Sequence, residues 1–245
     1  VSAPVFLLER SALRSGTTVV VDGAEGHHAA SVRRLRPGED VVLTDGAGSL
    51  ARGVVETVGK DRLVVTLGQV TVEPAPAPRL VVVQALAKGD RGELAVATMT
   101  EVGVDVVVPW ASSRCTVRWD GERATRALGR WRATAREAAK QSRRARLPEV
   151  ADLASTADVE VLLRRAAAAY VLHEEATEPL AGAAPPGAGD VVLVVGPEGG
   201  LSPEELDRFA AAGAPAYRLG PTVLRTSTAG PAALAVLLSR TARWV

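Results

Sequence analysis

VLVVGPEGGLSPEEL, residues 192–206, passes from an unbroken apolar run through three glycines into a helix start. The run 191–195 has no polar alternation, which is the pattern of a strand buried on both faces. Ser202 is a natural N-cap, Pro203 suits the first helical position, and Glu205 stands three residues on, completing a capping box. The stretch therefore reads as strand, tight turn, helix. Two familiar nucleotide turns can be tested against it. A phosphate-binding Walker loop needs Lys and then Ser or Thr after its last glycine, but Leu201 and Ser202 follow Gly200. The dinucleotide fingerprint needs a second glycine where Pro197 sits, and proline has no N–H to offer a pyrophosphate. An ordinary strand-to-helix connection and a turn that cradles some other ligand both stay open on this stretch alone.

Working outward, the same alternation runs through 80–245. RLVVVQAL precedes a helix over 90–102, and VDVVVPW precedes a long helix over 121–143. A helix near 157–168, AAYVLHE, DVVLVV, the capped helix 203–212, AYRLG and a last helix to about 242 complete the series. Apolar strands alternating with helices predict an α/β unit with a parallel, doubly covered sheet. Ligands of such sheets sit at the carboxyl ends of the strands. Leu172-His173-Glu174, the turn 196–201 and Leu219-Gly220-Pro221 each close an apolar strand, and together they would line one pocket with backbone groups. Gly230-Pro231 is an unusual start for the last helix, and fits only if Thr228 caps it and Pro231 falls in the first turn.

Residues 17–72 differ in kind. TTVVVDG, EDVVLTDGAG, LARGVVETVG and DRLVVTLGQV are short, rich in Val and Thr, and spaced about ten residues apart, as in a small β-barrel or sandwich. A helical insert, GHHAASVRRLRPGED, interrupts them. EPAPAPR, 73–79, is a stiff extended linker, so the expected domains are 1–72 and 80–245.

The chain has 245 residues, 47% of them hydrophobic, and a net charge of only +1. The charge is segregated. Residues 114–146 carry eleven Arg or Lys against three acids, and 147–211 carry twelve acids against three basic residues. Such segregation is the footprint of a polyanion-binding face, and equally of a solvated helix face. Cys115 is the sole cysteine, and with three histidines it makes no zinc-ligand spacing, so no metal is expected. Cys115 lacks a nearby His base and reads as an inert thiol. No apolar run approaches a membrane span, and the opening VSAPVFLLER lacks a signal pattern, so a cytoplasmic location is expected.

GPEGGLSPEEL followed by RLGPTVLRTSTAG at 218–230 resembles the paired cofactor motifs of the SPOUT RNA methyltransferases. Collinear with them are an H-x-x-x-V-x-R segment from His28 to Arg34, QALAKGDRGE at 84–93, EVGVDVVVPW at 101–110, SSRC at 112–115 and EAAKQSRRARLPEV at 137–150. The likeness is strongest to the branch that methylates uridine N3 in 16S ribosomal RNA. It implies an N-terminal PUA-like β-barrel, 1–72, and an α/β SPOUT domain, 80–245, with a C-terminal trefoil knot. It also implies S-adenosylmethionine as cofactor, 16S ribosomal RNA within the small subunit as partner, and a homodimer. Thr222 and Ser227 stand where that family commonly has a basic and an acidic residue.

By this resemblance the cofactor would meet Leu172, His173, Glu174, Gly196, Pro197, Gly199, Gly200, Leu219, Gly220, Leu224 and Thr226. Arg225, always charged, would hold the uracil carbonyls where negative charge develops. Glu198 is a candidate general base, with the bracing of neighbouring backbone amides as the competing reading. His173 carries the same ambiguity. Arg33, Arg34, Arg36, Lys88, Arg91, Arg114, Arg123, Arg126, Arg130 and Arg143 are candidates for contact with RNA phosphates. A non-catalytic RNA-binding module, or a ribose 2′-O-methyltransferase of the same superfamily, remain as alternatives.

Overall fold

A computed structural model describes residues 3–244. The chain divides into two compact units, 1–75 with 139–147, and 76–138 with 148–245.

The first unit is built on five strands: β1 (Val5–Leu7), β2 (Thr18–Val21), β3 (Asp40–Thr44), β4 (Ser49–Gly59) and β5 (Arg62–Val72). Their order is β1-β3-β4-β5-β2, with β1 parallel to β3 and the other pairings antiparallel. The expected barrel is thus a half-barrel sheet, with β1 and β2 at its edges. β1 escapes sequence reading because three residues are too few to show a period. Alternate residues of β4 and β5, among them Ala51, Val55, Leu63, Val65 and Leu67, point into a core closed by Phe6, Val41 and Leu43. The helical insert is real, as α1 (Gly23–His27) continued by a wider π turn over His28–Val32.

Residues 139–147, expected in the second domain, pack with the first unit. Lys140 Nζ lies 3.1 Å from the Glu25 carboxylate, with both side chains withdrawn from solvent. The Ala145 carbonyl accepts from Thr44 Oγ1 at 3.1 Å and from the Gly48 amide at 3.0 Å. Arg146 donates to the carbonyls of Glu73 and Pro74. Buried donors and acceptors must be paired, and these pairings hold the segment to the half-barrel.

The second unit holds β6 (Arg79–Ala85), α2 (Arg91–Val102), β7 (Val106–Trp110), most of α3 (Gly121–Gln141), β8 (Glu149–Val150) and α4 (Thr156–Arg165). β9 (Ala168–Leu172), β10 (Asp190–Val195), α5 (Pro203–Ala211), β11 (Ala216–Tyr217) and α6 (Thr226–Leu238) follow. The sheet order is β11-β9-β10-β6-β7-β8 and every pairing is parallel. Arg79, expected in the linker, already lies in β6, where it pairs with Glu149 and Asp190. Both faces of the sheet are covered. Met99, Trp131, Leu234 and Leu237 of α2, α3 and α6 pack on one side. Val159, Leu163 and Phe209 of α4 and α5 pack on the other, which is why β10 is apolar at every position after Asp190.

Local sequence sets the helix ends. Ser202 Oγ accepts the Glu205 amide at 3.1 Å while the Glu205 carboxylate accepts the Ser202 amide at 2.9 Å, the expected capping box. Ser155 and Asp158 build the same device on α4. α6 differs from expectation: it begins at Thr226 with Arg225 at the N-cap, so Thr228 is not its cap and Pro231 lies inside it. Pro231 has no N–H to give Ser227, so the helix starts with one hydrogen bond fewer. Close packing compensates. A Cβ on Gly230 would stand 2.7 Å from Met99 Sδ, so glycine is what lets α6 lie against α2.

At the amino ends of the strands, Asp105 and Arg243 form a bidentate pair, with N–O distances of 2.6 and 3.2 Å. The Asp105 carboxylate also accepts the Leu80 amide, and the guanidinium reaches the carbonyls of Pro78 and Gly103. One ion pair thus ties the residues after α6 to the starts of β6 and β7.

Candidate functional site

At the carboxyl ends of the same strands the chain encloses a cavity of about 300 Å³, within the second unit. Its wall is made by the three bends singled out in the sequence: Leu172-His173-Glu174 after β9, Gly196-Pro197-Glu198 with Gly200-Leu201 after β10, and the loop 217–226 before α6. The His173 amide donates to the Tyr217 carbonyl at 2.9 Å, joining the first bend to the third. Thr226 joins the third to the second: its hydroxyl donates to the Gly196 carbonyl at 2.8 Å and accepts from Gln84 Nε2 at 2.9 Å.

Of the eleven residues expected to meet a cofactor, ten line this cavity: Leu172, His173, Glu174, Gly196, Pro197, Gly200, Leu219, Gly220, Leu224 and Thr226. Gly199 does not. It lies under the backbone of Arg114, whose carbonyl oxygen would be 3.1 Å from a Cβ placed there. Thr226 is on the wall, but its hydroxyl is spent on bracing. Gly200 turns with φ +70° in a Pro197-to-Gly200 hydrogen-bonded turn, a conformation that costs other residues about 1–2 kcal/mol. A Cβ on Gly200 or Gly220 would meet no protein atom closer than 3.9 Å, so a side chain there would occupy cavity space.

The charged residues divide by what they already hold. Glu198 Oε1 accepts the Lys88 amide at 3.1 Å and the Arg91 guanidinium at 3.3 Å, so its carboxylate fastens the start of α2 to the glycine turn. Arg114 donates to the carbonyls of Gly199 and Leu201 and clamps the turn from outside. Its neighbour Ser113 gives its amide to the buried Glu205 carboxylate at 2.8 Å, so the SSRC segment and the capping box are stitched together. His173 Nδ1 accepts the Glu175 amide. Arg225 is exposed, faces the cavity and has no side-chain hydrogen bond or ion pair among the described residues. Arg218 shares all three properties, yet it was missed: one Arg inside a short strand–loop junction gives no signal until the cavity shows what it faces.

Cys115 stands behind the site with Sγ 3.8 Å from the Trp110 carbonyl, and burial pushes its thiol above the ordinary cysteine range. That is the condition of an inert cysteine.

The remaining basic candidates are scattered. Lys88, Arg123, Arg126 and Arg130 are exposed on the second unit, with Arg126 beside Glu122 and Arg130 held by Glu93 at 3.0 Å. Arg33, Arg34, Arg36 and Arg143 belong to the first unit.

The description "RNA methyltransferase domain" matches residues 73–238, and "RNA methyltransferase PUA domain" matches 21–68. Ribosomal RNA small subunit methyltransferase E of Mycobacterium bovis is 50% identical over 234 residues, which cover 94% of this chain and 89% of that one. The chain belongs to the ribosomal RNA small subunit methyltransferase E family. The Bacillus subtilis member is 28% identical over 243 residues, covering 96% and 94% of the two chains. A crystal structure of the Neisseria gonorrhoeae member, bound to S-adenosyl methionine, superposes with a TM-score of 0.85 at 27% identity, over 97% of this chain and 98% of that one.

The two positions singled out in the third motif, Thr222 and Ser227, differ in burial. Thr222 is exposed on the cavity wall, and Ser227 is 5% exposed in the first turn of α6.

Proposed function

We propose that this chain transfers the methyl group of S-adenosylmethionine to N3 of a uridine in 16S ribosomal RNA. The observation that carries the reading is the meeting of three backbone bends around one cavity that also faces an unpaired guanidinium. Family membership supports it, as does the bound S-adenosyl methionine of the Neisseria relative.

The residues present fit the cofactor. The glycine-smoothed wall leaves room for a nucleoside, and Leu172, Leu219 and Leu224 give its base apolar surfaces while backbone groups lie between them. When bound, S-adenosylmethionine supplies an electrophilic methyl on a sulfonium. The protein's own task is to position and to stabilise charge. Uridine N3 is a weakly acidic imide, protonated at neutral pH, so its proton must leave and the resulting anion must be held. Arg225, one of two arginines on the wall without a side-chain partner among the described residues, can hold a uracil carbonyl as that charge develops. N3 lies on the pairing edge, so the target base must be unpaired or flipped outward.

Glu198 is given a bracing role in this reading, because its carboxylate already serves the Lys88 amide and Arg91. Glu198→Gln keeps an acceptor for the amide and loses only the ion pair. The expected result is a fall in kcat of less than about 10-fold, against the 10²–10⁴-fold typical of a lost general base. Methyl transfer at saturating RNA would decide between them.

A C-terminal trefoil knot and a homodimer belong to the same reading, by resemblance to the SPOUT enzymes. The dimer is testable by light scattering. The reaction itself is tested by incubating the protein with 16S ribosomal RNA and S-adenosylmethionine and analysing the nucleosides by mass. N3-methyluridine is expected; a ribose-methylated product would overturn the regiochemistry, and failure to bind S-adenosylmethionine in calorimetry would leave a non-catalytic RNA-binding module.

A further inference from the structure

The first unit has a smaller cavity of about 80 Å³, lined by none of the residues of the larger one. Its wall brings together Pro4, Phe6, His28, Arg33, Lys140 and Arg143, residues from the edge strand, the π turn and the returning segment. Lys140 is 5% exposed and paired with Glu25. Arg33 and Arg143 are exposed and carry no ion pair among the described residues. Three basic residues, Arg33, Lys140 and Arg143, therefore line one small space. The His28 ring stands edge-on to Phe6, with centroids 6.0 Å apart, and makes no hydrogen bond among the described residues.

Arg143 adds a second kind of evidence. It follows the end of α3 with φ +57°, the left-handed position that glycine or asparagine usually fills. An arginine there accepts a backbone cost of about 1 kcal/mol, and in return its side chain reaches the cavity. The α3 carbonyls that would repel an anion are occupied, since the Lys140 carbonyl accepts the Arg143 amide and the Ala139 carbonyl accepts the Arg144 amide.

We propose that this cavity seats one backbone phosphate of the RNA, gripped between Arg33 and Arg143 over the buried Lys140. The size suits a single tetrahedral oxyanion, and forked guanidinium donors match its oxygens. The proposal rests on the RNA-substrate reading above but concerns binding, not chemistry. The seat would fix where the strand crosses the half-barrel without reading its sequence, as phosphate contacts do.

The test measures affinity of the full chain for a 16S ribosomal RNA transcript by filter binding across a salt series. For Arg33→Gln with Arg143→Gln, affinity should fall about 10-fold, and the slope of log affinity against log salt should flatten by about 0.7–0.9, the release expected of one phosphate. Arg143→Lys should lie between wild type and the double variant, because it keeps the charge but loses the fork. An unchanged slope overturns the seat, and so does Arg143→Lys binding like wild type, which would mean a charged surface only. An unchanged circular-dichroism spectrum and melting curve show that the substituted half-barrel folds, and calorimetric affinity for S-adenosylmethionine, a site in the other unit, should stay at the wild-type value. RNA bound but never methylated by wild type would remove the methyltransferase reading and leave the seat. Methylated RNA with variants of unchanged slope would do the reverse.

Discussion

Arg225→Ala is expected to lower the rate of methyl transfer by about 10²–10³-fold while S-adenosylmethionine binds within about 3-fold of its wild-type affinity, the signature of a donor that acts on charge formed in the transition state. Three arginines line the cavity, Arg91, Arg218 and Arg225. Arg91 is neutralised by Glu198. Arg225 and Arg218 remain, and Arg225 sits at the N-cap of α6, directly before the Thr226 hydroxyl that fastens this bend to Gly196. Its backbone is therefore held while its side chain is not. Single-turnover transfer of labelled methyl to 16S ribosomal RNA, with calorimetry alongside, reads both quantities. Arg225→Lys separates charge from geometry, since it keeps the cation and loses the two-pronged grip. Turnover undiminished in Arg225→Ala would end this assignment and direct attention to Arg218.

The second large effect lies at the far end of the sheet. Arg243→Ala should destabilise the protein by about 3–5 kcal/mol, because it leaves the Asp105 carboxylate buried without its bidentate partner and strips two carbonyls of their donor. For a chain of this size the melting temperature should drop by roughly 6–20 °C. Scanning calorimetry measures it. Arg243→Lys should recover part of the loss, because a single ammonium satisfies the charge but not the fork. The site lies at the carboxyl ends of the strands and this pair at the amino ends, so kcat of the surviving folded Arg243→Ala protein should match wild type. A melting temperature within 1–2 °C of wild type would mean that the residues after α6 do not anchor the sheet.

Several parts of this molecule were legible in its sequence for a physical reason. The strands of the second unit are apolar at nearly every position because helices cover both faces, and Ser202 with Glu205 marks the start of α5 because each satisfies the other's backbone. The convergence of the three bends followed from where parallel sheets present free backbone groups. What resisted reading was whatever depended on partners distant in the chain. Thr226 looks like a contact residue until Gln84, 142 positions away, is seen to donate to its hydroxyl. Arg114 looks like a surface charge until the carbonyls of Gly199 and Leu201 are found beside it. The start of α6 is hard to read because Pro231 suits a first turn, whereas the structure carries it inside a helix that begins at Thr226 and packs Gly230 on Met99. Residues 139–147 read as a basic helix end within the second domain, since no local pattern encodes packing against a sheet formed by residues 5–72.

That returning segment also bears on synthesis. The half-barrel emerges from the ribosome first, yet the ammonium that answers Glu25 and the carbonyl that answers Thr44 are encoded beyond 76–138. At about 5–20 residues per second, translation of that interval takes several seconds. During that wait the nascent half-barrel lacks the Lys140 ammonium and the Ala145 carbonyl, so a fragment cut at its last strand should behave as a loosened intermediate, open to a chaperone at this stage.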